Sequence, residues 1–464
     1  MFGPSAVETN EKVDRRIAKQ KPDQVCSLIY TSGTTGMPKA AALTHDNLTY
    51  VARSAGDVFS LDHTHHGLSY LPLSHIAAQQ LDCIAPLTHG YGVDIAPNDA
   101  LKGTNLKQHI VNTRPSYFLA VPRVWEKFKE VIESKLSSAS QFRKILFGVS
   151  TYIGLRSVQH LQYIEAKEPS EIGYLDELTT EVSKIALWTF DTLLFSRVKE
   201  ALGLDICKIA ASGAGVLDPK VTDFFAGLNI RIINIYGMSE SSGFITYEGK
   251  PLPGTEITTG KEGEIFVKGR HVFKEYWNNP EATKETVDDQ GFLRTGDLGK
   301  LNDQGSLAIT GRLKELIKTS GGENIPPIRI EQRLQQELPM ISQALVVGDG
   351  KNFLTCLFTL KTELDSSGSP TNKLNQEVLE LLQKIGSNAT TVEGAANDQA
   401  LHTYMEEGLA RANKQADSQA QRVAKFKILP EDFTVANGLM TATLKVRRSE
   451  VTKRYVGLIE QMYA

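Results

Sequence analysis

The run Val25–Tyr30, VCSLIY, leads directly into Thr31-Ser32-Gly33-Thr34-Thr35-Gly36-Met37-Pro38-Lys39, and this junction restricts the fold more than any other segment. Apolar and β-branched residues in a short run read as a strand, and their continuous apolar character implies cover on both faces. In the loop that follows, Gly33 and Gly36 let the backbone come close to a polyanion, while the threonines, Ser32 and Lys39 supply donors. The Walker order, Gly-Lys followed by Ser or Thr, is not present. Taken alone, the loop also fits a flexible surface turn, since Ser/Thr/Gly loops are common.

Comparable runs recur at LSYLPL (68–73), YFLAV (117–121), ICKIAA (206–211) and IRIINIY (230–236). Between them lie stretches with helical spacing. Trp125, Phe128, Ile132 and Leu136 share one helix face, as do Leu178, Val182, Ile185 and Trp188, and both stripes are expected to face the core. Alternating strands and helices predict a large, layered, mainly parallel α/β domain. From about Gly254, GEIFVKG (263–269), GFLRTGDLG (291–299) and GSLAITG (305–311) predict a small β-rich subdomain. Beyond Lys314 come strand-like QALVVG (343–348) and FLTCLFTL (353–360), a Ser/Gly/Pro/Asn loop at 366–372, and polar helices near 373–386 and 400–415. This places a boundary between a large domain, 1–313, and a C-terminal α+β domain, 314–464, of ordinary size.

Composition narrows the function. With 464 residues, 41% of them hydrophobic and 23% charged, the chain has enough apolar side chains for a large core and a satellite domain. A net charge of -3 gives no electrostatic reason to expect nucleic acid. Cys26, Cys83, Cys207 and Cys356 are too widely spaced for a CxxC metal or redox pair, and a reducing compartment is the simpler reading. The polar first residues read as neither signal nor transit peptide. The most apolar stretch, Ile185–Phe195, is short and contains Asp191, so it cannot span a bilayer, which takes about 20 apolar residues. The expected location is cytoplasmic, with any membrane contact peripheral, for instance on the endoplasmic reticulum.

Four more segments follow the loop in order: Tyr236-Gly237-Met238-Ser239-Glu240-Ser241, Thr295-Gly296-Asp297-Leu298, Gly311-Arg312-Leu313-Lys314-Glu315, and Lys445 in TLKVRR. Together the set resembles the adenylate-forming superfamily of acyl-CoA synthetases, luciferases and peptide-synthetase adenylation domains. Finer texture is similar to the long-chain fatty acid–CoA ligases, and within them to the bubblegum type. It lies in YLPLSHIAAQ (70–79), DALKG (99–103), VPRVWEK (121–127), YGMSESSG (236–243), GRLKELIKTSGGENIPP (311–327) and LPEDF (429–433).

This resemblance implies ATP-dependent activation of a long-chain fatty acid through an acyl-adenylate to acyl-CoA, with release of AMP and pyrophosphate. The implied partners are the fatty acid, ATP, coenzyme A as co-substrate and Mg²⁺. Residues Thr31 to Lys39 would cradle the β- and γ-phosphates, Ser239 would bond the α-phosphate, and Glu240 would hold Mg²⁺. Tyr236 would stack on adenine opposite Gly213, Ala214 and Gly215. Asp297 would accept the ribose hydroxyls, Arg312 would donate to ribose or phosphate, and Lys445 would bridge the attacking carboxylate and the phosphate. His75 would gate the acyl-carboxylate pocket. Lys314 would be the hinge of a mobile small domain that presents either Lys445 or the Gly321-Gly322 loop to the site.

Plainer readings stand beside each role. Asp297 also fits a turn, Arg312 a surface cation, Lys445 one charge in a basic segment, Glu240 a helix cap, His75 a structural side chain, and His63, His65 and His66 a solvated loop. Ala40 stands where the family usually has Gly, which would restrict the loop if that position needs positive φ; Ala442 stands where Pro is usual. Family members also carry a long stretch before the phosphate loop, here begun at Thr31. The large domain is therefore expected to be N-terminally truncated, and the chain alone poorly soluble or weakly active. The alternative is a catalytically impaired nucleotide- or acyl-binding or interaction protein.

Overall fold

A computed structural model describes residues 5–31, 38–97, 100, 105–137, 139–167, 171–365, 369–441 and 444–464, with side chains from residue 11 onward. Strands β1 (Val25–Thr31) and β2 (Lys39–Thr44) form an antiparallel pair whose ends, Thr31 and Lys39, lie opposite each other. This corrects the expectation of a strand covered on both faces. Burial along β1 alternates, Ile29 is buried and Tyr30 is 66% exposed, so β1 has the period-2 pattern of a half-covered strand. Ala40 sits in extended backbone opposite Tyr30 with its methyl buried; it is not among the positive-φ residues, so the methyl does not strain the turn.

Strands β3 (His66–Ser69) and β4 (Gly92–Ile95) pair in parallel. The central sheet follows: β5 (Tyr117–Ala120), β6 (Ile209–Ser212) and β7 (Ile232–Met238) are parallel, and β8 (Gly243–Tyr247) and β9 (Lys250–Pro251) extend it antiparallel. The layered α/β class is as expected, although the hairpins make it more antiparallel than the sequence suggests. Helix α1 (Pro122–Ser137) buries Trp125, Phe128 and Ile132. Trp125 fills the core, and its indole N–H donates to the Ala211 carbonyl at 3.1 Å, which satisfies the polar end of a large buried ring.

The other expected stripe is not core. Helices α2 (Gln141–Glu165) and α3 (Tyr174–Phe190) pack on each other as a hairpin. Leu178, Val182, Ile185 and Trp188 are 51%, 58%, 61% and 70% exposed. Periodicity identified the helix, but the buried face is a narrower one carrying Ser183 and Leu187.

Strands β10 (Glu256–Thr259) and β11 (Glu264–Lys268) begin the β-rich part, β12 (Glu275–Tyr276) crosses to pair with β2, and β13 (Leu293–Leu301) and β14 (Leu307–Arg312) complete a four-stranded antiparallel sheet ordered β10-β11-β13-β14. After a single turn at Leu313–Glu315 comes the hairpin β15 (Ile317–Lys318) and β16 (Asn324–Ile325). The C-terminal part is built on β17 (Ile341–Val347) and β18 (Leu354–Leu360), with the hairpin β19 (Thr362–Leu364) and β20 (Pro370–Leu374), and with β21 (Val423–Ile428) parallel to β18. Its core centres on Phe358, Leu334, Leu401 and Met405. The four cysteines are free thiols, and no helix among the described residues is long and apolar enough to cross a membrane.

Candidate nucleotide and acyl site

Ser32, Gly33, Thr34, Thr35, Gly36 and Met37 lie outside the described residues, as do Asp99, residues 101–103, 366–368 and Ala442. The loop's two ends are described. Thr31 Oγ1 donates to the Lys39 carbonyl at 3.3 Å, and the Lys39 ammonium stands 5.0 Å over the Tyr276 ring; Pro38 is exposed. The Tyr276 phenol donates to Glu240 Oε1 at 2.6 Å, and the Phe273 amide donates to the Glu240 carbonyl at 2.8 Å. Lys39, at the end of the loop, and Glu240, at the turn after β7, are thus joined through one aromatic side chain. Burial, then the Glu240 charge, pushes the Tyr276 phenol well above its ordinary range, so it stays a donor.

The turn Ser239–Ser241 leaves β7 with Glu240 and Ser241 buried. Ser241 Oγ accepts from the Met238 amide at 3.1 Å, and its single hydrogen is shared between the Met238 and Gly243 carbonyls, each 2.9 Å away, which locks the turn. Gly237 has a steric reason: a Cβ there would lie 2.1 Å from the Gly243 carbonyl oxygen across the β7–β8 pair. The Gly213-Ala214-Gly215 segment leaves β6 with Ala214 at φ 64°.

Asp297 and Arg312 are cross-strand partners on β13 and β14. Asp297 is only 6% exposed and both its oxygens are used: Tyr236 donates to Oδ2 at 2.9 Å and Arg312 Nε to Oδ1 at 2.7 Å. Three residues from three separate motifs therefore share one carboxylate. Burial and then the Asp297 charge raise the Tyr236 phenol, keeping it protonated.

The small part reaches this cluster. Leu444, at φ 59°, closes the turn before Lys445 and packs against the large part's core; the Lys445 amide donates to Thr441 Oγ1 at 3.1 Å and its carbonyl accepts from the Thr441 amide at 2.8 Å. Lys445 is exposed at the mouth of the cleft; its ammonium is close enough to Arg312, Asp297 and Glu315 to feel their charges, and desolvation followed by the Arg312 charge lowers its pKa. His75 caps the turn Ile76–Ala78, accepting from the Ala77 amide at 3.2 Å. Burial, and then Lys445, pushes its imidazole down to about 4, so it is neutral at pH 7. Ala77, which bonds His75, lines a narrow space together with Tyr70, Leu81, Asp82, Tyr117 and Phe118. Burial raises Asp82 to about 6.

Lys314 is exposed in the turn joining the two parts. Gly321 and Gly322 cap the β15–β16 hairpin, which is tied to the small part by the Gly350 amide donating to the Lys318 carbonyl at 2.7 Å. The histidine run is not a uniformly solvated loop: His65 is buried against Asp62, and His66 opens β3 with its Nε2 3.2 Å from Asp94 Oδ2.

Residues to which the motif reading gave no role also shape the cleft. Tyr276 and Glu315 are two. Arg448, at the end of TLKVRR, is another: its guanidinium reaches half-buried Glu331 and the Val346 carbonyl and so fixes the chain three residues beyond Lys445. A further group joins the two parts. Arg123 Nη2 donates to Ser342 Oγ at 2.9 Å, Ser342 donates to Asp432 Oδ2 at 2.7 Å, and Thr359 donates to Asp432 Oδ1 at 2.6 Å. Arg123 and Asp432 belong to VPRVWEK and LPEDF, so the motifs were visible and their meeting was not. If the cleft forms an acyl-adenylate, as proposed below, Ser342→Ala is expected to loosen this closed arrangement and slow that step about 10-fold, equivalent to ~1.4 kcal/mol. The melting temperature and the ATP titration should change little; an unaltered single-turnover rate would remove the contact from the account.

His271 is fully buried with neither ring nitrogen partnered among the described residues, and burial pushes it down to about 4. Its unfolded-state pKa is near 6.5, so stability is fully present above that value, is lost as pH falls from 6.5 toward 4, and levels off below. The loss is about 3 kcal/mol. His271→Leu should flatten this limb of a urea-unfolding series against pH; an unchanged limb would show that His271 is already charged or hydrated.

The fold and cleft together define an adenylate-forming α/β architecture. The A domain of a carboxylic acid reductase from Segniliparus rugosus, solved with AMP and a carboxylic acid, superposes with a TM-score of 0.63 at 20% identity over 95% of this chain and 62% of that one. The o-succinylbenzoate CoA synthetase of Bacillus subtilis, solved with ATP and magnesium, gives 0.58 at 19% identity over 93% of this chain and 70% of that one. Residues 3–277 match the AMP-binding enzyme family and residues 314–427 its C-terminal domain, and the chain belongs to that family. It is 40% identical over 470 residues to the Gallus gallus long-chain-fatty-acid–CoA ligase ACSBG2, covering 97% of this chain and 60% of the relative. It is 37% identical to the Homo sapiens ACSBG2 over 97% of this chain and 68% of that relative. The chain thus spans about three fifths of the length of the Gallus gallus protein.

Proposed function

We propose that this chain carries out ATP-dependent activation of a long-chain fatty acid. A carboxylate oxygen attacks the α-phosphorus of ATP, the bond to the β-phosphate breaks, and pyrophosphate leaves. The thiol of coenzyme A then attacks the acyl carbonyl and AMP leaves. The observation that carries this reading is the meeting of Lys445, from the C-terminal part, with Arg312, Asp297 and His75 of the large part in one cleft. Two anions approach each other in the first step, and a cation held beside them is the group that lowers that barrier.

In this reading Tyr236 and Gly213–Gly215 flank the adenine, and Ser239 bonds the α-phosphate. Asp297, already oriented by Tyr236 and Arg312, accepts the ribose hydroxyls through its remaining lone pairs. Residues Thr31–Lys39 hold the outer phosphates, with Lys39 fixed over Tyr276. His75, neutral and held by the Ala77 amide, would stand beside the start of the acyl chain. Among the described residues no cluster of three or more His, Cys, Asp or Glu could hold a metal alone. Mg²⁺, which keeps its waters and takes one or two carboxylates plus substrate phosphates, fits the single oriented carboxylate of Glu240. When bound it would neutralise phosphate charge. The small part would then turn about Lys314 to bring the Gly321-Gly322 hairpin to the site for thioester formation.

Exchange of labelled pyrophosphate into ATP, with and without a long-chain acid, tests the first step. Acid-dependent exchange is expected. ATP binding without exchange would favour the alternative of a nucleotide-binding protein that does not catalyse.

A further inference from the structure

The α2–α3 hairpin presents an apolar face that no other element among the described residues covers. Along α2, Phe142, Ile145 and Val149 are 74%, 57% and 51% exposed; beside them Ile185, Trp188 and Leu193 are 61%, 70% and 67% exposed. Phe142, Ile145 and Val149 are three and four residues apart and Ile185 and Trp188 are three apart, so each group shares a helix face, while Leu193 follows α3 in the segment Asp191–Phe195. The helices are antiparallel, which brings the start of α2 beside the end of α3. Scattered exposed apolar residues are ordinary, but two adjacent stripes carrying Phe and Trp mark a docking face.

Charge identifies the partner. Residues 142–156 and 182–197 contain the cations Arg143, Lys144, Arg156 and Arg197, with Lys184 neutralised by Glu181, and a single carboxylate, Asp191, which is already paired with Lys199. The acidic side chains of the hairpin, Glu165, Glu171, Asp176, Glu177 and Glu181, lie toward its other end, where Glu181 pairs with Lys184 and Asp176 with Lys167. The net charge of the whole chain is -3, so this basic, aromatic end stands out against its own background. Apolar side chains with Trp and Phe, bordered by Lys and Arg, match the interface of an anionic bilayer: rings enter the headgroup level and cations meet lipid phosphates and carboxylates.

The hairpin is also firmly seated. A Cβ on Gly154 would lie 2.4 Å from the Gly227 carbonyl oxygen, so α2 rests backbone-to-backbone on the helix Pro219–Gly227. A rigid mount lets the apolar face enter a membrane surface without unfolding anything beneath it.

We propose that the basic end of the α2–α3 hairpin docks the protein peripherally on an anionic lipid surface. The proposal concerns a face away from the cleft and does not depend on the ligase reading. The test is co-sedimentation with phosphatidylcholine vesicles, with and without phosphatidylserine, at low and high salt. A Trp277→Phe background leaves the core Trp125 and the exposed Trp188 as emitters. The expected result is binding to phosphatidylserine vesicles at least 10-fold stronger than to neutral ones, weakened by salt, with a blue shift of Trp188 emission. Ile185→Asp with Trp188→Asp should abolish sedimentation, and Arg143→Glu with Lys144→Glu should weaken it at least 10-fold, with near-UV circular dichroism of the charge variant unchanged. Absence of vesicle binding by the parent chain would overturn the proposal. So would equal binding by parent and variants, or a parent dimer that the Ile185→Asp/Trp188→Asp chain no longer forms and that shows no affinity for lipid.

Discussion

Lys445→Ala is expected to lower the rate of acyl-adenylate formation by about 10²–10³-fold, the usual consequence of removing one preorganised charge-stabilising donor. The Lys445 ammonium lies near Arg312, Asp297 and Glu315, and water, unlike a fixed cation, brings no net charge to replace it. The turn that carries it is held independently, by Leu444 packed on the large part's core and by the Thr441 backbone. The variant should therefore fold and bind ATP normally. Thioester formation from supplied acyl-adenylate should be affected far less, because no charge then develops between carboxylate and α-phosphate. Measuring the two half-reactions separately distinguishes the cases; equal losses in both would make Lys445 a structural residue.

The second large effect concerns Asp297. Its two oxygens accept from Tyr236 and Arg312, and in the proposed function it also receives the ribose hydroxyls. Hydrogen bonds to a charged group contribute about 1.5–3 kcal/mol, so Asp297→Ala is expected to raise the apparent KM for ATP by about 10–10²-fold. Discrimination between ATP and its deoxyribose analogue should shrink with it, since a site built around a hydroxyl rejects the analogue that lacks one. Arg312 is 42% exposed and can turn to solvent, so the loss of stability should be smaller than for a buried pair. Asp297→Asn, which keeps one acceptor oxygen, should fall between. Unchanged ATP titration in a folded Asp297→Ala protein would remove Asp297 from the nucleotide site.

The difference between the Trp125 and Trp188 helices shows what the sequence could and could not convey. Both carry apolar residues at helical spacing, and both form helices over those residues. Trp125 is fully buried and Trp188 is 70% exposed, because periodicity reports which residues share a face and not what lies opposite it. The motif residues Tyr236, Asp297 and Arg312 were legible because each belongs to a short local pattern. Tyr276 was not: its role comes from β12 crossing to pair with β2, which puts its phenol on Glu240. Likewise VPRVWEK and LPEDF were recognisable segments, but the Arg123–Ser342–Asp432 chain exists only once the two parts close. The continuous apolar run of β1 misled for a related reason, since a half-covered edge strand and a fully buried one share the same composition.

The most direct measurement of the central claim uses the purified chain with a long-chain acid, ATP, Mg²⁺ and coenzyme A, and follows acyl-CoA and AMP together by mass spectrometry. The account predicts equimolar appearance of the two products, dependent on every component, and nearly abolished by Lys445→Ala. Binding of ATP and acid with neither product formed would contradict it.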